Sequence, residues 1–434
     1  MFFRRNIDRN MNKFLVGFVM TIMSTAAFAQ SNTNSPYSQF GLGDLSDQGV
    51  GFNKGMNGVG IAMRKGSEVN PMNPASYSSV DSLSMIFDAG LSGQITNFNE
   101  NEIRQSSKSG GFEYVAGLFR ACRNVGVSFG ILPYSNTGYK YSSTTSLSDV
   151  QATVTNTYSG SGGLHQLFIG AGWRILKPLS VGLNVAYLWG DFDRSIITSS
   201  TSAINTLSKE YKADVSSYKI DLGLQYEQSL GKNDFLILGV KWSPGHSLKS
   251  DPTCLVMSRN SSISKSDTTT YKIQDGLKLP DTYAFGVSYS HAGSFRAGAD
   301  FTYQKWGSVD FPHFDNTGYH LRSNILKDSY RVNAGMEWTP RAMSRRFIDR
   351  IRYRAGVGYA TPYYYINGKE GPKEFGASIG FGIPIINGYN NRSILNISGQ
   401  WVRRSADQLI TENTFRINIG LTFNERWFAK WKVE

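Results

Sequence analysis

From about residue 82 to the end of the chain, apolar and polar side chains alternate with a period of two. Successive side chains of a strand point to opposite faces, so the pattern predicts strands with one apolar and one polar face. In residues 215–226, Tyr218, Ile220, Leu222, Leu224 and Tyr226 alternate with Lys219, Asp221, Gly223 and Gln225. In residues 414–423, Phe415, Ile417, Ile419, Leu421 and Phe423 share one face. The rhythm defines fourteen segments: 82–97, 109–121, 124–136, 164–174, 180–192, 213–229, 233–244, 282–291, 294–306, 328–339, 350–360, 372–383, 392–403 and 413–424. Most are 10–13 residues long, the length of a tilted strand crossing a bilayer.

The connections alternate as well. Residues 98–108, 137–163, 193–212, 245–281, 307–327, 361–371 and 404–412 form a long set. Residues 122–123, 175–179, 230–232, 292–293, 340–349 and 384–391 form a short set. Seven long and six short connections are what fourteen up-and-down strands require when both termini lie at the short-turn end. An even strand number, short turns at one end and long loops at the other are the marks of an outer-membrane barrel. The expected fold is all-β, a fourteen-stranded antiparallel transmembrane β-barrel over residues 82–424.

Composition fits this picture. Charged residues are 18%, aromatics 13%, and glycine contributes 45 of 434 residues, too aromatic for a disordered chain. Beyond the N-terminal apolar run there is no stretch of about 18 apolar residues to make a membrane helix. Trp189, Trp242, Trp306, Trp338 and Trp401 fall at segment ends, where interfacial girdles are expected.

Residues 1–29 read as a secretory signal: Arg4, Arg5, Arg9 and Lys13, then the apolar run from Phe14 to Met23, then Ala27-Phe28-Ala29. Gln30 follows in place of a lipid-bearing Cys. The leader carries three of the twelve net positive charges. Much of the remainder lies in Arg341, Arg345, Arg346, Arg350, Arg352 and Arg354, suited to a solvated turn, anionic lipid headgroups or an acidic partner. Nucleic acid is not an expected partner of a secreted chain. Cys122, in a short turn, and Cys254, in the longest loop, would lie at opposite ends, too far apart to pair.

Residues 30–81 differ. Gly, Ser, Asn and Pro interrupt them too often for long strands, yet Phe40, Leu42, Phe52, Met56, Ile61, Met63 and Tyr77 are too apolar for a free tail. A fourteen-stranded barrel has a lumen to fill, and the expectation is a plug folded inside it. Residues 425–434, with Trp427, Phe428 and Trp431, would form a tail beyond the last strand.

Four motifs in order resemble the FadL-type outer-membrane transporters of long-chain fatty acids and other hydrophobic compounds. Asn73-Pro74-Ala75, after Gly58-Val59-Gly60-Ile61-Ala62, is similar to that family's N-terminal hatch motif. Leu279-Pro280-Asp281, Ala299-Asp300-Phe301-Thr302-Tyr303-Gln304-Lys305-Trp306 and Tyr353-Arg354-Ala355-Gly356-Val357-Gly358-Tyr359 resemble its barrel signatures. The resemblance covers essentially the whole mature chain. It implies fourteen strands, a hatch, ligand capture by outer loops and sideways release through a wall gap at a kinked third strand. Pro133 lies in the third segment; proline cannot donate a ladder hydrogen bond, so it marks either a wall kink or the strand's end.

The chain departs from the family where capture needs an apolar groove. Loop 245–281 is mostly Ser, Thr and charge, and loop 193–212 is Ser/Thr-rich. No G-x-S-x-G or H-E-x-x-H motif occurs, and the five histidines are scattered, so neither catalysis nor a metal or other cofactor is expected. Asp221, Asp300, Arg331, Glu337, Arg352, Arg354 and Arg416 fall on the lumen-facing phase. They could bind a ligand carboxylate or form an ion-pair network holding the plug. The expected function is passive transport of hydrophobic or amphipathic small molecules, captured by outer loops and released past the hatch or laterally through the wall; the alternative is a non-transporting barrel that scaffolds an outer-membrane protein assembly or secretion complex. The expected surroundings are outer-membrane lipid and lipopolysaccharide, a hydrophobic ligand in the first case and other envelope proteins in the second.

Overall fold

The structure, a computed structural model, describes residues 33–426 except 101–102, 148–151, 204, 261, 264 and 386–392. The signal stretch and the tail from residue 427 lie outside the described residues. Fourteen strands form a closed antiparallel barrel. They are β1 (Ser84–Glu100), β2 (Ile103–Cys122), β3 (Val125–Leu147), β4 (Ala152–Arg174), β5 (Leu179–Ser200), β6 (Asn205–Ser229) and β7 (Asp234–Ser243). The second half is β8 (Thr282–His291), β9 (Phe295–Gln304), β10 (Ser329–Trp338), β11 (Arg352–Ala360), β12 (Lys373–Ile385), β13 (Ser393–Ser405) and β14 (Thr411–Arg426). Each pairs with its sequence neighbours, and β14 closes the ring on β1 from Ser84↔Arg426 to Asn99↔Thr411.

The alternation becomes a two-faced wall. Leu183, Val185 and Tyr187 of β5, Leu222 and Leu224 of β6, and Ile417 and Ile419 of β14 are exposed on the outside. Their neighbours Asn184, Asp221 and Asn418 are buried toward the lumen. Trp173, Trp242, Trp338 and Trp401 lie on the outer surface. Trp306 does not. The chain leaves β9 at Gln304 and makes a 3₁₀ turn over Trp306–Ser308, burying the ring against Tyr363 at 4.7 Å between centroids.

The loop end differs from the expected pattern of long loops. Residues 137–163 and 193–212 are mostly strand, because β3 to β6 run on for 22–25 residues each. Loop 245–281 contributes a hairpin, Thr253–Asn260 with Lys265–Lys272, whose first strand pairs with Asn205–Lys212 of β6. The result is a six-stranded Ser/Thr-rich wing. Threonine suits strands as well as loops, so hydrophobic alternation was the wrong signal for strands with two polar faces. A second hairpin, Phe311–Asp315 with Gly318–Arg322, stacks against it through Tyr211–Tyr319 and Tyr271–Phe314.

Candidate functional site

The lumen is the place where this fold could hold a function, and the N-terminal segment from Thr33 to Asp81 packs against its inward-facing side chains. No residue from Thr33 to Asp81 is exposed, and from Gly49 to Met63 only Asn57 is less than fully buried. Short, turn-rich sequence leaves many backbone groups without a ladder, and buried polar groups need partners. Inward side chains of the barrel supply them. Asp300 accepts from the amides of Gly60 and Ile61 at 2.6 and 2.9 Å. Gln225 and Ser288 donate to the carbonyls of Ile61 and Ala62 at 3.0 and 2.8 Å. Ser378 and Gln400 donate to Gly55 and Lys54 at 3.1 and 3.0 Å. Tyr114 accepts from the Gly51 amide and donates to Asp88, both at 2.8 Å.

Glycines on the inner wall permit this approach. A Cβ on Gly182 would overlap Pro74, one on Gly223 would overlap Asn73, and one on Gly356 would overlap Met56. The Asn73-Pro74-Ala75 motif therefore sits flat against bare wall. Asn73 caps a 3₁₀ turn by accepting from Ala75 N at 3.1 Å, and it donates to the carbonyls of Ile61, Leu224 and Val240.

Charges cluster toward the short-turn end. Glu337 accepts from Arg296 at 3.0 Å and Arg354 at 2.6 Å, with Lys65 at 3.7 Å. Glu68 binds Arg296 at 2.8 Å and also Arg352. Two carboxylates thus face four cations, and Arg296 stacks over Phe52 at 4.7 Å. Burial, with Arg352 beside it, brings the Lys65 ammonium down to about 8. Of the seven lumen charges singled out in the sequence, only Glu337, Arg352 and Arg354 meet here. Asp221 binds Lys219, Asp300 holds the backbone as described, Arg331 pairs with Glu374 at 3.0 Å, and Arg416 donates to Gln94 at 2.8 Å. The partners Lys65 and Glu68 lie in a segment without periodicity, so sequence could not place them. Arg296 shares the inward phase of Asp300 and was legible by that rule. A second missed group, Lys54 with Glu113 at 3.2 Å and Asp47 at 3.5 Å, also joins segment to wall.

Among the described residues, the wall carries a seam between β2 and β3. The β2–β3 ladder ends at Val115↔Ile131, whereas β2 continues along β1 and β3 continues along β4. Pro133 lies inside β3, at a register shift between Pro133 and Ser135, and does not end the strand. The N-terminal segment covers the seam: Asp44 and Leu45 pair with Asn136 and Ser135, Ser38 exchanges hydrogen bonds with Gly138, and Asn34 donates to Lys108 O. Above it an apolar cluster including Leu42, Leu188, Leu248, Trp306, Leu326 and Tyr363 closes the loop end.

A lumen void beside Gly51, Glu113, Tyr114 and Asn396 measures about 10 Å³, barely room for one water. A groove of about 520 Å³ among Ala171, Trp173, Leu183, Leu222, Leu224 and Trp242 lies on the outer wall. Cys122 and Cys254 are both free.

The family model for BamG matches residues 11–434. The chain belongs to the BamG family. This BamG-family barrel is also similar in fold to solved structures of other barrels. The toluene transporter TodX of Pseudomonas putida aligns at TM-score 0.62 and 14% identity, over 89% of this chain and 100% of that one. The toluene transporter TbuX of Ralstonia pickettii aligns at 0.60 and 13%, over 88% and 99%. A Pseudomonas aeruginosa FadL homologue aligns at 0.62 and 10%, over 88% and 99%. At these identities the likeness is one of fold. No curated protein matches the BamG-family chain.

Proposed function

We propose that this BamG-family chain is a permanently plugged outer-membrane barrel whose work is done by its surfaces, as a scaffold subunit of an envelope protein assembly. The observation that carries this reading is the burial of the N-terminal segment: from Thr33 to Asp81 nothing is exposed, and wall side chains meet it through buried ion pairs and hydrogen bonds. Removing one partner from a buried ion pair costs ~3–5 kcal/mol, so moving this segment for each passing solute would be expensive. A plug so held leaves the polar wing and the short-turn rim as the surfaces for partners. No chemical step is assigned to the chain.

The second reading is transport. TodX and TbuX are toluene transporters, and the β2–β3 seam is an observation in its favour. A hydrophobic solute would leave through the seam into lipid, where it is more stable than in water. Here Asp44–Leu45 would have to unpair first.

The deciding experiment is gentle detergent extraction of the tagged chain from native membranes, with size exclusion and quantitative mass spectrometry. A fixed stoichiometry with the same envelope proteins, kept through salt washes, supports the scaffold. A monomer that takes up a labelled monoaromatic hydrocarbon after reconstitution refutes it and supports transport.

A further inference from the structure

The short-turn rim is unlike the loop end in charge. Its described turns, residues 81–83, 120–124, 174–178, 229–234, 292–294 and 339–351, carry nine Arg or Lys against Asp81, Asp234 and Asp349. At the loop end opposite charges meet instead, as in Lys212–Asp193, Lys272–Asp251 and Lys278–Asp310.

The excess concentrates in the longest of these turns, between β10 and β11. Arg341, Arg345 and Arg346 are exposed, and Arg350 lies partly over the Phe347 ring at 5.9 Å. Among the described residues none of the four pairs with a carboxylate, and Asp349 is engaged by Ser344 at 2.9 Å. The same turn exposes Met343 at 98%, Ile348 at 67% and Phe347 at 49%. Its carbonyl at Ile348 accepts from Tyr353, which lies beside Trp338 and Phe381 at 6.0 Å each in the outer aromatic girdle. Three bulky apolar side chains and four unpaired arginines thus continue the lipid-facing band beyond its edge. A solvated turn has no use for exposed Phe, Ile and Met, whereas a turn lying in the interfacial layer buries them among acyl chains.

We propose that this turn is a phospholipid-binding element that takes the phosphate groups of anionic lipid headgroups in the leaflet at the short-turn end. Phe347, Ile348 and Met343 enter the acyl boundary and Arg341, Arg345, Arg346 and Arg350 bind the phosphates, with the remaining basic rim adding attraction. Arginine offers several fixed donors to a phosphate, so bidentate contacts are available. The occupant follows from continuity with the lipid-facing girdle and from charge complementarity. This element is independent of whether the lumen conducts.

The full chain is reconstituted into bilayers of phosphatidylglycerol and phosphatidylcholine with matched acyl chains and re-extracted in mild detergent. Retained lipid is quantified by mass spectrometry at low and high salt. Phosphatidylglycerol is expected to be enriched, and the enrichment to fall with salt. Each basic residue near an anionic surface contributes ~fivefold, so Arg341→Ser/Arg345→Ser/Arg346→Ser/Arg350→Ser should lower the enrichment by at least ~tenfold. The matching four-lysine variant should keep most of it, and heat-modifiable migration should show both variants folded. Equal retention of the two lipids, or full enrichment in the folded serine variant, would overturn the proposal. So would a serine variant that keeps the lipid preference but loses a bound acidic protein, because the turn would then be a protein site.

Discussion

Glu68→Ala tests whether the lumen segment is locked. Glu68, in the segment, meets Arg296 and Arg352 of the wall, and it is buried. Its removal leaves Lys65, Arg296, Arg352 and Arg354 facing Glu337 alone. Stranding buried charges in this way costs ~3–5 kcal/mol. At ~1.4 kcal/mol per tenfold, the open population of the segment should rise between about a hundredfold and a few thousandfold. Glu68 lies outside the barrel ladders, so the lost contacts are those between segment and wall. Hydrogen exchange of peptides spanning Gly49–Met63, followed by mass spectrometry at fixed pH, reads that population directly. Glu68→Gln, which keeps the shape and an acceptor, should fall between parent and alanine variant. If the alanine variant migrates as a folded barrel and its exchange stays within about threefold of the parent, the ion-pair lock is wrong.

Three further outcomes follow from the same contacts. Gly356→Val places side-chain atoms where Met56 lies, so it should destabilise by ~1–3 kcal/mol or more by overpacking, whereas Gly399→Ala, with nothing nearby, should stay within ~0.5 kcal/mol; thermal unfolding in detergent separates them. Tyr114→Phe strands the Gly51 amide and one bond to Asp88 and should cost ~1–3 kcal/mol, seen as faster exchange at Gly51 with little change in the strands. Leu45→Cys/Ser135→Cys, in a Cys122→Ser/Cys254→Ser background, should oxidise readily, because facing residues of an antiparallel pair lie ~4.5–5.5 Å apart at Cα; a scaffold should keep its partners after cross-linking, and loss of a transport activity would contradict that reading.

All fourteen strands were legible, most within a few residues, because each crosses between lipid and a polar lumen and must alternate. Segments 282–291 and 294–306 show how close this comes: the strands run Thr282–His291 and Phe295–Gln304. The polar extensions of β3 to β6 were not legible. Outside the lipid neither face is forced to be apolar, so 137–163 and 193–212 read as loops although their backbones are paired. Trp306 was misplaced for a related reason: a tryptophan at a segment's end reads as an interfacial anchor until the chain's inward turn is known.

By itself the sequence determined strand number, the up-and-down order and which end carries the short turns, since all three follow from a local period and from spacing. It also marked inward charges such as Asp300, Glu337 and Arg354 through their phase. It could not say which of them meet. Pairing Glu68 with Arg352 spans 284 positions, and holding Gly60 on Asp300 spans 240. Those contacts depend on how a segment without periodicity folds against the inside of a closed wall, and only the tertiary structure decides that. At the seam by Val115↔Ile131 the sequence offered only Pro133, which left both a kink and a strand end open; that the β2–β3 ladder stops there and Asp44–Leu45 pair with the freed edge is decided by the tertiary structure.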